Sequence, residues 1–241
     1  MEKITSLQNA KVKSWMLLHK KKHRDEKGLF LVEGEHLIQE ALAARAVELI
    51  ITDTASPFDF ENVVIVTPAI MSKLSLNVSD VHLIAVCRQN HLQIKEKHRL
   101  LLLDGVQDPG NLGTLIRTAV SFGFDGVYCS ADTCDLYNDK AIRSTQGALF
   151  HIPVVRKEFS ELLPELKKDG VMIIATSLQD STTMKEIKPV EKMAFVLGNE
   201  GQGVRDTTIQ QADRCLRIEM EGFESLNVAV AGGIIMYQYR R

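Results

Sequence analysis

Three polar, glycine-rich segments hold the side chains whose types and spacing best suit chemistry. The first, DPGNLGTLIR, contains Asn111 and, six residues later, Arg117. The second, LGNEGQGV, places Glu200 among three glycines, so the backbone could approach a ligand closely beside a carboxylate. The third, GFESLN, contains Ser225 and Asn227. Together these groups could hold a substrate and orient a reacting oxygen.

Each segment also has an ordinary structural interpretation. Asn111 is predicted at or near the N-cap of a helix, on which Arg117 could be a surface charge. The second segment could be a flexible turn. Ser225 or Asn227 could cap the apolar helix that follows, but capping would explain only one of them. Without a GxGxxG or GxxxxGK[ST] pattern, a nucleotide-dependent enzyme with a phosphate-binding loop is a weaker alternative.

The elements that position these segments alternate between strands and helices from Arg99 onward. This alternation predicts an α/β domain with a mainly parallel sheet. In such sheets ligands collect beyond the carboxyl ends of the strands, and each of the three segments directly follows an apolar run. The predicted strands lie at 100–105, 126–130, 171–175, 194–197 and 216–218, with a helix ending at Gly123.

The front of the chain predicts a smaller α/β unit of its own. The predicted strands lie at 29–32, 47–52, 63–66 and 83–86, with one helix at 35–44 and another beginning at Pro68. The polar stretch RQNHLQIKEKH then indicates a linker. We therefore predict two domains, 1–95 and 96–241.

Charge and composition limit the kinds of partner, metal site and cellular location that we expect. The formal net charge is -2, yet lysines and an arginine crowd the first segment, which would attract a polyanion unless they form a solvated helix face. The scattered Cys and His residues predict buried free thiols and no metal site. With no apolar run near ~20 residues and no signal peptide, a cytoplasmic protein without a membrane segment is expected. The cations are Lys11, Lys13, Lys20, Lys21, Lys22, Arg24 and Lys27.

In this order the three segments resemble the signature motifs of the SpoU (TrmH-like) family, in the SPOUT superfamily of RNA methyltransferases. FLVEGEHLIQEAL is similar to the family's N-terminal substrate-binding domain, and RSTQGALFHIPV resembles another family stretch, with Thr145 where Ser is more usual. The resemblance covers essentially the whole chain. It implies a C-terminal parallel-sheet α/β trefoil-knot domain, preceded by a smaller ribosomal-protein-like RNA-binding domain.

The resemblance implies 2′-O-ribose methylation of structured RNA, with S-adenosylmethionine as cofactor and 23S-type ribosomal RNA preferred over transfer RNA. A non-catalytic, ribosome-associated protein of the same fold is the alternative from another class. A homodimer through the C-terminal domain is also implied, with the helix at 227–240 near the interface. The implied catalytic residues are Arg117, Asn111, Glu200, Ser225 and Asn227, and the implied cofactor-binding residues are Thr176, Leu197, Gly198, Gly201, Ile218, Met220 and Leu226.

Arg117 would be the centre of the reaction. A guanidinium stays protonated in nearly every protein setting, so Arg117 is a poor candidate for the base. The hypothesis is that Arg117 grips the nucleotide's phosphate and steadies the developing alkoxide. Proton removal would be assisted by that phosphate or by a transiently neutral guanidine, and Asn111, Glu200 and Ser225 would orient the ribose.

Overall fold

The computed structural model describes residues 2–76, 81–89, 91–221 and 225–241, which form two sheets covered by helices. The N-terminal unit has a mixed sheet in the order β1-β4-β3-β5-β2, in which β5 runs antiparallel to β2 and β3. Its strands are β1 (Glu2–Ile4), β2 (Leu29–Glu33), β3 (Val47–Thr52), β4 (Val63–Val66) and β5 (Leu83–Arg88), and its helices are α1 (Ala10–Leu17), α2 (Lys21–Lys27), α3 (Glu35–Ala43) and α4 (Pro68–Leu74).

The C-terminal unit has a sheet in the order β10-β12-β9-β11-β6-β7-β8, and all of these strand pairs are parallel. Its strands are β6 (Arg99–Asp104), β7 (Gly126–Cys129), β8 (Val154–Arg156), β9 (Met172–Thr176), β10 (Thr182–Thr183), β11 (Met193–Gly198) and β12 (Arg214–Arg217). Its helices are α5 (Pro109–Ser121), α6 (Asp139–Thr145), α7 (Phe159–Lys168), α8 (Asp206–Ile209) and α9 (Val228–Gln238), with a short 3₁₀ turn at Ala148–Phe150.

The path of the chain near its end brings distant segments together. From β11 the chain passes to β12, on the far side of β9, and then returns so that α9 packs against α5 and β11. The predicted trefoil knot depends on this return. Because β6 and β11 are neighbours and fully buried, the loops that leave them emerge side by side.

The predicted strands are confirmed, and the three that the sequence analysis did not predict, β1, β8 and β10, have only two or three residues. The basic segment before Leu29 is helical, which agrees with the alternative of a helix face. It folds into α1 and α2, and Trp15 is buried against the sheet. Arg24 is also buried, where it pairs with Asp135, so its charge does not belong to a basic surface.

Asn111 lies near the N-cap of a helix, as predicted, but the cap itself is Asp108. The Asp108 side chain accepts a hydrogen bond from the backbone of Asn111, which is the third helical residue. Cys134 and Cys215 are only half-buried, whereas the prediction had all four thiols buried.

The two units share one apolar core. The Phe30 ring of β2 packs on Tyr137 and Phe150 of the C-terminal unit, with ring centroids 4.6 and 6.1 Å apart. The ion pair between His151 and Glu40 also joins the units, at 2.6 Å. They are therefore packed against each other, and the boundary between 95 and 96 stays a prediction.

The pair Gly232-Gly233 in α9 has an explanation within the chain. A Cβ at Gly232 would lie 2.3 Å from a methyl carbon of Leu115 and 2.7 Å from one of Leu197, whereas at Gly233 the nearest neighbour is Thr118 Cγ2 at 4.0 Å. Gly232 thus lets α9 contact α5 and β11 closely.

We expect Gly232→Ala to destabilise the fold and Gly233→Ala to stabilise it. Leu115 and Leu197 are fully packed, so overpacking at Gly232, typically ~1–3 kcal/mol, should outweigh the gain of ~1 kcal/mol from helix propensity. Only that gain applies at Gly233. Urea unfolding at one protein concentration measures both, and equal midpoints for the two variants would contradict the packing argument.

Candidate active site

The site lies where β6 and β11 end. Gly198 at the end of β11 pairs in register with Asp104 at the end of β6, so the loops after them are adjacent. Asp108 then begins α5, and its other carboxylate oxygen accepts a hydrogen bond from Lys140 Nζ at 2.6 Å. The bond from Lys140, followed by that from the Asn111 backbone, holds the pKa of Asp108 below its usual value. The start of α5 is therefore firmly held.

Glu200, Asn111 and Asn227, one from each motif, form a continuous hydrogen-bonded network. Asn111 Nδ2 donates to Glu200 Oε1 at 2.9 Å, and Asn227 Nδ2 donates to Asn111 Oδ1 at 3.1 Å. Asn227 Oδ1 accepts from the backbone of Ala229 and Val230, which makes Asn227 the N-cap of α9. One network thus links the starts of α5 and α9 to the glycine-rich loop.

The carboxylate of Glu200 acts as an acceptor. Besides Asn111, it accepts hydrogen bonds from the backbone N–H groups of Asp108 at 3.0 Å and Gln107 at 3.1 Å. Burial raises the pKa of Glu200, but these hydrogen bonds more than offset that effect and leave it below its usual value. Glu200 is therefore ionised near neutral pH and suited to orienting its neighbours, and it is a weak base.

The glycine-rich loop is folded back on itself. A Cβ at Gly198 would lie 2.0 Å from the carbonyl carbon of Gly203, so only glycine fits there. Asn199 braces the turn, because its Oδ1 accepts from the backbone of Gly201 and Gln202 and its Nδ2 donates to the Gly105 carbonyl at 2.9 Å. The N–H groups of Gly201 and Gln202 are consequently already satisfied.

An ion pair between the buried Asp104 and the exposed Arg205 anchors the end of this loop. Asp104, whose side chain has no exposed surface, accepts from Arg205 Nε at 2.7 Å and from the Arg205 backbone at 3.2 Å. The hydrogen bond from Arg205 to Asp104 raises the pKa of Arg205. Asn199 and Arg205 were not predicted from the sequence. Asp104, an acid at the end of an unbroken apolar strand, indicated that a partner such as Arg205 must exist, since a buried acid needs one.

Arg117 and Ser225 stand apart from this network within one chain. Arg117 is exposed, and six residues at 3.6 per turn place it about 120° around α5 from Asn111. Neither its guanidinium nor the exposed Ser225 hydroxyl forms a hydrogen bond with any residue that the structure describes. Residues 222–224 of the third motif lie outside the described residues.

The candidate cofactor residues lie at the carboxyl ends of three neighbouring strands, β11, β9 and β12. Leu197 is buried against Gly232, so only its backbone could contact a ligand. Gly201 is exposed, and Leu226 is 39% exposed. Glycine backbone beside exposed apolar side chains suits a nucleoside with a sulfonium-bearing chain. Thr176 ends β9, Leu197 and Gly198 end β11, and Gly201, Ile218, Met220 and Leu226 lie in the loops that follow β11 and β12.

Two further observations bear on the site. No group of three potential metal-ligating side chains occurs in the part of the chain that the structure describes. No helix within the described ranges is long and apolar enough to cross a membrane.

Two family models match the chain. The model of the SpoU rRNA Methylase family matches residues 98–237, and the model of the MRM3-like substrate binding domain matches residues 9–85. The chain is 40% identical, over the full length of both proteins, to the 23S rRNA (guanosine(2553)-2′-O)-methyltransferase RlmP of Bacillus subtilis. It is 31% identical to an uncharacterized tRNA/rRNA methyltransferase of Synechocystis, over 99% of this chain and 93% of the relative.

Solved structures agree with the fold. An AdoMet-bound rRNA methyltransferase from Sinorhizobium meliloti superposes with a TM-score of 0.89 and 28% identity, covering 98% of this chain and 96% of its own. An RNA 2′-O ribose methyltransferase superposes with a TM-score of 0.82 at 28% identity, covering 98% and 97%. The predicted α/β fold class, with its smaller N-terminal unit, is confirmed.

Proposed function

This chain belongs to the SpoU rRNA methylase family, and on that premise we propose that it methylates a ribose 2′-hydroxyl of 23S-type ribosomal RNA. The observation that carries the proposal is the network of Glu200, Asn111 and Asn227, because it joins three distant motifs at the ligand-binding edge of a parallel sheet. The cytoplasmic location of the protein stays a prediction.

S-adenosylmethionine supplies an electrophilic methyl group on a sulfonium. The residues that would hold it are the seven at the ends of β9, β11 and β12. Ile218, Met220 and Leu226 would pack on its apolar parts, while the backbone of Leu197, Gly198 and Gly201 would approach its polar groups. Glu219, between Ile218 and Met220, is exposed and pairs with Lys185 at 3.7 Å, so it points toward a surface cation.

Arg117 would hold the nucleotide's phosphate and stabilise negative charge on the ribose oxygen as its proton leaves. Its guanidinium is available, since it has no partner among the described residues. Both oxygens of Glu200 are engaged by N–H groups, so Glu200 would keep Asn111 and α5 in place while the phosphate accepts the proton. Ser225 would orient the ribose. Alignment of this kind is worth orders of magnitude in rate.

A second copy of this chain would complete the site. The exposed side of α9 is apolar, with Val230, Ile234 and Tyr237 spaced four and three residues apart and 51, 37 and 56% exposed. Helix α9 packs on Leu115 and Thr118 of α5, the neighbours of Arg117. A partner that covers α9 would therefore come close to Arg117, and its Ser225 could reach that guanidinium.

We expect Ile234→Glu to convert a dimer into a monomer and to remove methyl transfer, because it buries a charge in the apolar contact. Leu76→Glu is the matched control, since Leu76 is 51% exposed but follows α4 in the N-terminal unit. Sedimentation velocity gives the oligomeric state of both variants. A wild-type monomer that is fully active would contradict the shared site.

The proposed function is tested with labelled S-adenosylmethionine and RNA from a strain that lacks the gene. The expected result is incorporation into 23S ribosomal RNA and none into transfer RNA. Incorporation into transfer RNA alone would shift the proposal to that substrate. Failure of the protein to bind millimolar S-adenosylmethionine in calorimetry would instead favour a non-catalytic RNA-binding protein.

A further inference from the structure

A groove of about 540 Å³ lies on the face of the N-terminal sheet that is turned away from the C-terminal unit. We call it the α1 groove; it lies between α1, the end of α2 and strands β2 to β5. The opposite face of the same sheet packs toward the C-terminal unit through Phe30. The α1 groove is therefore separate from the candidate active site.

The floor of the α1 groove is apolar and its edge is polar. Leu49, Val64 and Val86 form the floor, and Trp15 of α1 forms part of the wall. Asn62 lies at the edge, where its Nδ2 donates to the Glu48 carbonyl at 2.8 Å. The register of β3 against β5 shifts at Glu48, and such bulges re-aim side chains. A flat apolar ring with polar edges would fit these surroundings.

Three cations line the α1 groove. Lys11 and Arg88 are each 56% exposed, with Lys11 Nζ 2.5 Å from Glu2 and Arg88 3.7 Å from Glu48. Lys27 is exposed and donates to Ser14 Oγ at 2.6 Å, and it forms no ion pair with any acid among the described residues. These contacts leave the ammonium and guanidinium groups accessible to an added anion.

The charge of the surrounding surface favours a polyanion. Residues 2–27 contain eight Lys and Arg against three Asp and Glu, although the whole chain has a net charge of -2. Of the eight, Arg24 is buried against Asp135, and the others lie on or next to β1, α1 and α2. Two of these cations, Lys11 and Lys27, line the α1 groove itself.

We propose that the α1 groove binds one unpaired nucleotide of the RNA substrate, at a distance from the methylated ribose. The inference rests on the proposed function. A volume of about 540 Å³ lies within the range of small-ligand pockets, ~300–1,000 Å³, and a duplex would not enter it. The base would pack on the floor beside Trp15, and Lys11, Lys27 and Arg88 would contact its phosphates.

Trp15 offers a direct probe, because it is the only tryptophan in the sequence. Full-length protein is titrated with an unstructured oligoribonucleotide while its intrinsic fluorescence is followed. Entry of a base beside Trp15 is expected to change the emission in a saturable way. Asn62→Phe, which fills the groove from its exposed edge, should abolish the change. A saturable response that is identical in this variant would overturn the proposal.

The cations are tested with the double variant Lys11→Gln/Lys27→Gln. Its KM for ribosomal RNA should rise about tenfold. The slope of log(1/KM) against the logarithm of the salt concentration should become less steep by about 1.4, for two lost single-strand phosphate contacts. The kcat and the affinity for S-adenosylmethionine should not change. Lys168→Gln/Lys188→Gln, on exposed parts of the C-terminal unit, is the matched control.

The two proposals fail in different ways. If the wild-type protein methylates RNA but the double variant keeps its KM and salt dependence, the α1 groove is not an RNA site and the proposed function stands. If oligoribonucleotide changes Trp15 fluorescence in the wild type and not in Asn62→Phe, but no methyl transfer occurs, the groove stands and the proposed function fails.

Discussion

Replacing Arg117 with Ala is expected to lower methyl transfer by about 1,000-fold or more while S-adenosylmethionine binds within a few-fold of wild type. The loss has this size because one guanidinium would both position the phosphate and stabilise the developing alkoxide. The side chain is exposed and unpaired among the described residues, so the unfolding midpoint should stay the same. Single-turnover rates and calorimetry separate the two effects.

The planar guanidinium, and not only its charge, should matter. Arg117→Lys is therefore expected to fail as well, because an ammonium cannot donate two parallel hydrogen bonds to a phosphate. Arg214→Ala is the control, since Arg214 is also exposed but lies at the start of β12. Turnover retained by Arg117→Ala would remove this residue from the reaction.

Changing Glu200 to Gln is expected to lower kcat/KM by about 100-fold, the second-largest effect. Both oxygens of Glu200 accept from N–H groups, so the amide nitrogen of Gln would have to face another donor. Asn111 and the loop before α5 would lose their positions. Gln202→Ala, in the same loop and also exposed, should keep activity.

A double-mutant cycle with Asn111→Ala tests whether Glu200 acts through Asn111. If it does, the two losses should be strongly non-additive, since the residues share a hydrogen bond of 2.9 Å. Losses that multiply would show independent roles and would contradict the network. The rates are measured at saturating S-adenosylmethionine, so that a change in cofactor affinity does not contribute to the losses.

The convergence of the three motifs could be predicted because it follows from local patterns. Apolar runs such as that before Asp104 identify buried strands, and parallel strands align their carboxyl ends. Once β6 and β11 are neighbours, Asn111 and Glu200 must lie near each other. Their distance and hydrogen bonds could not be predicted, since they depend on the turn braced by Asn199.

The parts that could not be predicted depend on tertiary contacts. Lysines obscure the apolar face of α1, so burial of Trp15 is not evident from the pattern around it. Arg24 looks like its basic neighbours in sequence, and only the fold brings Asp135 to it. The close contact at Gly232 depends on α5, which lies more than 100 residues away in the chain. The role of Arg117 beside Ser225 remains a proposal that rests on the proposed dimer.

The central claim is that this site methylates a sugar oxygen. Ribosomal RNA from a strain lacking the gene is treated with the purified protein and S-adenosylmethionine, digested completely to nucleosides and separated by liquid chromatography with mass spectrometry. The account predicts one additional 2′-O-methylnucleoside with the wild type and none with Arg117→Ala. A methyl group on a base, or the same 2′-O-methylnucleoside with both proteins, would contradict it.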